Sequence, residues 1–296
     1  MCRSHQRHQP SRPQPIPQSL GLAPVSLSLP QTRPYNGLSL PGRPNLTREP
    51  APVLSNESAS PSVGSPWGVR EVLLGLALPL LVWAIALGLT IAVGEEDGNG
   101  VDTGVVIGGL VLTLVLQGIL VGLAARLSLG KYRLSWSSLG FRPLSSDLYW
   151  AAAAVAIGAH VLVISYAAVV TAAGADALAP QQELKDLFES RAVLPLVGVV
   201  TVLTAPLAEE TFFRGFVFPG LMRRLGVVGA AVASGLLFAA FHVSSADTAG
   251  LVIPFTIIGV ALAGLYYYTG SLWSTIGAHF LFNLISFGIL AALAGS

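Results

Sequence analysis

Two adjacent carboxylates, Glu209 and Glu210, stand five and four residues before Arg214 in the apolar run Leu203-Thr-Ala-Pro-Leu-Ala-Glu-Glu-Thr-Phe-Phe-Arg-Gly-Phe-Val-Phe218. Glu210 and Arg214 share a helix face and can pair. That leaves Glu209 over, turned about 100° around the helix. Further along, Phe238 and His242 are four apart, and so are His279 and Asn283, which places each pair on one helical face. A carboxylate beside a histidine in poorly hydrated surroundings can act as general base on a water. A neighbouring imidazole and a side-chain amide can donate hydrogen bonds to the oxyanion of a tetrahedral intermediate. Together these parts suffice for hydrolysis of an amide by water, with no nucleophilic serine or cysteine. Glu209, His242 and His279 also form a two-histidine, one-carboxylate set, the type that holds catalytic zinc with an open water position. The three lie on different segments and no His-Glu-x-x-His helix is present, so spacing leaves both readings open. The metal-free version, with no cofactor required, is preferred.

The elements that must carry these residues are membrane helices. Of 296 residues, 53% are hydrophobic and 10% charged, with a mean hydropathy of +0.68; soluble proteins carry about 25% charged residues. Crossing a hydrocarbon core of about 30 Å takes about 20 apolar residues. Uncharged runs of that length are Val72 to Val93, Thr103 to Ala125, Leu148 to Ala175 and Leu225 to Ala246. The last 49 residues contain no Asp, Glu, Lys or Arg, too many for one pass. Thr269-Gly270-Ser271 is the natural turn between helices over Leu251 to Tyr268 and Leu272 to Leu293. With the run beginning at Ala192, the expectation is an all-α polytopic bundle of about seven to eight transmembrane helices.

In such surroundings each mid-bilayer charge costs about 2.5–3.5 kcal/mol on insertion scales, and polar groups must turn inward and find one another. Phe212, Phe213, Phe216, Val217 and Phe218 continue the apolar pattern past Arg214, so Glu209, Glu210 and Arg214 are not read as a helix end in the headgroups. His5 and His8 lie in the leader. His160 stands alone among Ala, Gly and Val, and is read as an interhelical hydrogen-bonder. The 32 glycines fit close helix packing in lipid. No internal repeat is evident.

Three segments are expected: 1–66, an N-terminal stretch rich in Pro, Ser and Arg; 67–180, N-terminal transmembrane helices; and 192–294, the core carrying the chemistry. The first has no acidic residue before Glu49 and too little apolar content to fold, so disorder is expected. It is read as a cytoplasmic tail, an over-long start or a transit peptide. Basic and acidic loops alternate, with Arg70, then Glu95 to Asp102, then Arg126 to Arg142, then Asp176 to Glu189, then Arg223-Arg224, which sets the N-terminus in the cytoplasm. Gln181 to Glu189 is expected as a short surface helix. A net charge of +1 gives no basic cluster for a nucleic-acid partner. Cys2, the sole cysteine, leaves no disulfide framework.

One piece of geometry does not close. Glu209 lies about 24 Å along a helix entering near Ala192, close to the cytoplasmic end of a single span. His242 lies about 24 Å along a helix starting near Gly226, close to the opposite side. Tilt, a kink at Pro206 or a shifted boundary is needed to bring them together.

Glu209-Glu210-x-x-x-Arg214, Phe238-x-x-x-His242 and His279-x-x-x-Asn283 resemble, in order, the three motifs of the CAAX protease and bacteriocin-processing (CPBP, or Abi) family, which contains the type II CAAX prenyl endopeptidases. The resemblance covers about residues 192 to 290. It implies a glutamate-dependent intramembrane endopeptidase in which Glu209 and His242 activate water, and His279 and Asn283 stabilise the oxyanion. Glu210, Arg214 and Phe238 would support the site. The expected substrate is a lipidated, CAAX-type or membrane-inserted peptide reaching an inward-facing site from the lipid bilayer. The Gly/Ala/Val-rich style suggests a bacterial plasma membrane, which puts a prenylated substrate in question. Two other classes use the same polar cluster. A non-proteolytic immunity or scaffold protein would keep it for packing, and a transporter would carry protons or ions on it. The transporter fits less well, because every intramembrane carboxylate falls in one segment rather than in two related halves.

Overall fold

The computed structural model describes residues 64–93, 103–175, 178, 193–243 and 248–294, all within the unit Glu57–Ser296. The expectations for 1–63, for Glu95 to Asp102 and for the surface helix at Gln181 to Glu189 lie outside these residues.

Each uncharged run becomes a helix, because in lipid a backbone must satisfy its own hydrogen bonds. The first three are α1 (Val69–Val93), α2 (Thr103–Gly130, its last six residues a π turn) and α3 (Tyr149–Ala172). The long run Leu194–Ala240 follows. It turns at Gly226, whose φ of 68° and ψ of 176° are open to glycine alone, giving two arms, α4 (194–225) and α5 (227–240). The last two helices, α6 (Val252–Thr269) and α7 (Leu272–Ala294), are separated at Gly270, which has a left-handed φ of 64°, as the Thr269-Gly270-Ser271 turn implies. Among the described residues, six helices are long and apolar enough to cross a membrane. The two arms at Gly226 supply the seventh rod. The protein is an all-helical integral membrane protein.

Unlike a soluble bundle, the protein is apolar on its outer surface as well as in its core. Leu73, Leu81, Val105, Val111, Ile157, Ile164 and Ile253 point outward and are exposed, forming the lipid face. The interior is built on α4. Every residue from Glu210 to Leu221 is buried, with Phe212, Phe213, Phe216 and Phe218 at the centre of the largest apolar cluster. Trp67, wholly buried ahead of α1, donates its indole N–H to the Phe216 carbonyl at 2.8 Å. Glu71 accepts from the Gly68 N–H at 2.9 Å and pairs with Lys131 beyond α2. These contacts fasten α1 and α2 against the central helix.

The close crossing of α5 and α6 rests on two glycines. A Cβ on Gly259 would fall 2.6 Å from the Gly235 Cα, and one on Gly235 would fall 2.8 Å from the Thr256 carbonyl oxygen. This approach sets Phe238 and His242 against Phe255 of α6.

The gap between Glu209 and His242 closes through the length of α4. The helix does not end one span after Ala192 but continues to Leu225. Glu209 lies 17 residues before Gly226 and His242 16 residues after it. At 1.5 Å per residue, each stands about 25 Å from the turn, on antiparallel arms, and therefore at one level.

Candidate active site

Glu209 reaches His242 across this helical hairpin, with Oε2 3.7 Å from Nε2. The His242 Nδ1–H donates to the Phe238 carbonyl, one turn back, at 2.8 Å. That bond fixes the neutral tautomer with its lone pair on Nε2. Glu209 Oε2 is buried and has no hydrogen-bond partner in the protein. Two acceptors 3.7 Å apart cannot bond each other, but one water can donate a hydrogen to each.

Glu210, one residue on, faces a different environment. Its side chain and that of Arg214 are both fully buried, and Arg214 Nη1 donates to Glu210 Oε1 at 2.8 Å. The same oxygen accepts from His279 Nδ1 at 2.9 Å. Arg214 Nη2 donates to the Gly259 carbonyl at 3.2 Å, and its guanidinium carbon lies 4.4 Å from the Phe238 ring centre. Phe238 thus touches both halves of the site, because its ring also lies 4.5 Å from His242 and 5.8 Å from His279. Its aromatic face shields the guanidinium while its carbonyl orients the imidazole.

Asn283 sits one turn beyond His279 on α7. Its Nδ2 donates to the Thr201 carbonyl at 2.8 Å. That carbonyl is available for a local reason. Val199–Thr204 winds as a π turn, with the Ala205 N–H bonded to the Val200 carbonyl. In this register Thr201 would next pair with residue 206, which is a proline and has no N–H. Pro206 therefore leaves an acceptor for Asn283.

Glu209, His242, His279 and Asn283 line one cavity of about 760 Å³, together with Phe238 and Thr201. Its remaining wall is mostly apolar, from α2, α3, α6 and α7. Glu210 and Arg214 are not among its walls. His160 also stays outside it, donating from Nδ1 to the Ala156 carbonyl at 2.9 Å and meeting Ser286 of α7 through Nε2 at 3.3 Å. The zinc alternative finds less support in the donor geometry. Among the described residues no three His, Cys, Asp or Glu side chains gather as a metal-holding group. Glu209, His242 and His279 do not form one.

Several wall residues carry no signal in the sequence. Thr201 contributes only its backbone. Phe255 packs edge-on against His242, with ring centres 4.9 Å apart. Thr113 and Gln117 of α2 line the same cavity. Gln117 is the one that could have been noticed, as a carboxamide within an otherwise apolar span.

Comparison with known proteins falls on this part of the chain. Residues 191–285 match the model of the family described as "Type II CAAX prenyl endopeptidase Rce1-like". Residues 191–285 are Rce1-like in sequence. The matched segment takes in every residue of the Glu209, Phe238 and His279 motifs, and runs from the start of α4 into α7. A protein of Bacillus subtilis (strain 168) named "Putative membrane peptidase YdiL" is 31% identical over 90 residues, which is 30% of this chain and 35% of that protein. The aligned part thus spans about a third of that relative's length. No solved structure matches the chain at a significant level.

Proposed function

We propose that this protein is an intramembrane endopeptidase in which Glu209 and His242 activate a water for attack on a peptide bond. The observation that carries the reading is the pair itself, an unpartnered carboxylate oxygen 3.7 Å from an imidazole lone pair on a cavity wall. The Rce1-like match and the membrane peptidase relative support it.

The water lies between Glu209 Oε2 and His242 Nε2. As its oxygen bonds to the substrate carbonyl carbon, one proton passes to the Glu209–His242 pair. The carbonyl oxygen gains the negative charge and is held by donors from α7. Asn283 has a second Nδ2 hydrogen besides the one given to Thr201. His279 borders the same cavity, its ring oriented by the Nδ1–H bond to Glu210. Collapse of the intermediate breaks the C–N bond, and the stored proton goes to the departing amine. The products are a carboxylic acid and an amine, and the pair regains its starting protonation.

An apolar cavity among membrane helices favours a lipidated, CAAX-type or membrane-inserted peptide as substrate. We place the protein in a bacterial plasma membrane with its N-terminus in the cytoplasm. The test is cleavage of lipidated and membrane-inserted peptides by purified protein in bilayers, comparing wild type with Glu209→Gln. Cleavage by wild type alone, unchanged by a metal chelator, is expected. Loss with chelator and rescue by zinc would move Glu209 into a metal shell, and equal cleavage by both proteins would remove it from the chemistry.

A further inference from the structure

Gln117 lies in the middle of α2 and is 6% exposed, yet its Oε1 has no hydrogen-bond partner. An unpaired buried amide oxygen destabilises a fold, and an apolar side chain of the same size would avoid that cost. The residue borders the cavity that holds Glu209, His242, His279 and Asn283. Thr113, one turn earlier on the same face, borders it too. The Thr113 hydroxyl hydrogen is spent on the Gly109 carbonyl at 2.9 Å, which leaves its oxygen only an acceptor. Helix α2 therefore presents a short polar strip to an otherwise apolar wall.

A substrate peptide in this cavity brings backbone N–H and C=O groups that water no longer satisfies. The side chain that matches such a group without charge is a carboxamide, which offers one acceptor and two donors. We infer that Gln117 is a substrate-positioning residue whose carboxamide pairs with a backbone amide of the bound peptide. This rests on the peptide-hydrolysing reading of the site. The Gln117 oxygen that no protein group satisfies is then completed by the substrate. Gln117 touches no reacting atom in this scheme. It sets the register of the peptide against the Glu209–His242 pair.

The test uses the full chain in lipid nanodiscs, with Glu209→Gln as the parent so that peptide stays uncut. The probe is a farnesyl-cysteine peptide with three aliphatic residues after the cysteine, together with analogues in which one backbone amide at a time is an ester. Loss of one neutral hydrogen bond predicts that Gln117→Leu weakens binding about tenfold, while the melting temperature holds or rises. One ester analogue should bind the parent about tenfold more weakly than the all-amide peptide and bind Gln117→Leu no more weakly than that peptide. Gln117→Asn, with the same group on a shorter stem, should bind like Gln117→Leu. Unchanged binding in Gln117→Leu, ester penalties that persist in it, or a fall in melting temperature that parallels the loss would each overturn the proposal. Cleavage is read separately with Glu209 restored: a peptide held through Gln117 but never cut would sink the protease reading and leave this one standing.

Discussion

Glu209 and Glu210 are the same side chain on consecutive residues of α4, and the bundle uses them in opposite ways. Glu210 is sealed, and its Oε1 is shared between Arg214 and His279. Each carboxylate has an Oε2 without a hydrogen-bond partner, but only Glu209 borders the cavity, 3.7 Å from His242. The two differ by the turn of one helical residue, about 100°. The dry side holds a carboxylate only because Arg214 neutralises it, since an unpaired buried charge costs several kcal/mol. The cavity side sets its carboxylate 3.7 Å from the His242 imidazole, with no cation beside it among the described residues. Position around the helix, rather than residue type, separates the sealed carboxylate from the one that borders the cavity.

That contrast is sharpest when each member is altered in turn. Glu209→Gln should lower peptide hydrolysis by about 10³–10⁴-fold, within the upper range for general acid–base groups, with an unchanged melting temperature in detergent. A melting temperature that falls with activity would put Glu209 in the scaffold. Arg214→Leu should do the reverse and destabilise by about 3–5 kcal/mol, because it strands Glu210, seen as reduced membrane abundance and a lowered unfolding midpoint. Arg214→Leu combined with Glu210→Leu should regain part of that loss, and no recovery would mean that His279 rather than Arg214 is the dominant partner. Asn283→Ala should cost about 10²-fold in kcat with little change in KM, the signature of a lost oxyanion donor. If stability alone falls, the bond to Thr201 is its whole role. His160→Leu should be the mildest, about 0.6 kcal/mol for one interhelical hydrogen bond, with hydrolysis at wild-type rate. A large activity loss there would extend the site beyond the cavity walls.

Much of the scaffold half was legible in the sequence. The Glu210–Arg214 pair follows from i,i+4 spacing, and Glu209 stood out as the residue this pairing leaves over. Helix bounds for α1, α2, α3, α6 and α7 fell within a few residues of the uncharged runs, because charge and chain length alone decide what crosses lipid. The level of Glu209 was misjudged because α4 was given the length of one span. It is longer, since Glu210 and Arg214 neutralise each other and the aromatic run after them stays buried, so the helix persists to the glycine at 226. The partners of His279 and Asn283 were not legible at all. Glu210 is 69 residues from His279, and Thr201 offers only a carbonyl that a π turn and Pro206 leave unbonded.

Composition alone determined that this chain is a helical membrane protein, because a backbone in lipid has few other ways to satisfy its hydrogen bonds. The sequence also determined that its few intramembrane polar residues must converge, because lipid penalises each one left alone. Only the tertiary structure decided which carboxylate meets which histidine. That choice depends on where α4 turns, how closely Gly235 and Gly259 let α5 approach α6, and which way each helix is rotated, all of them set by packing between segments far apart in the chain.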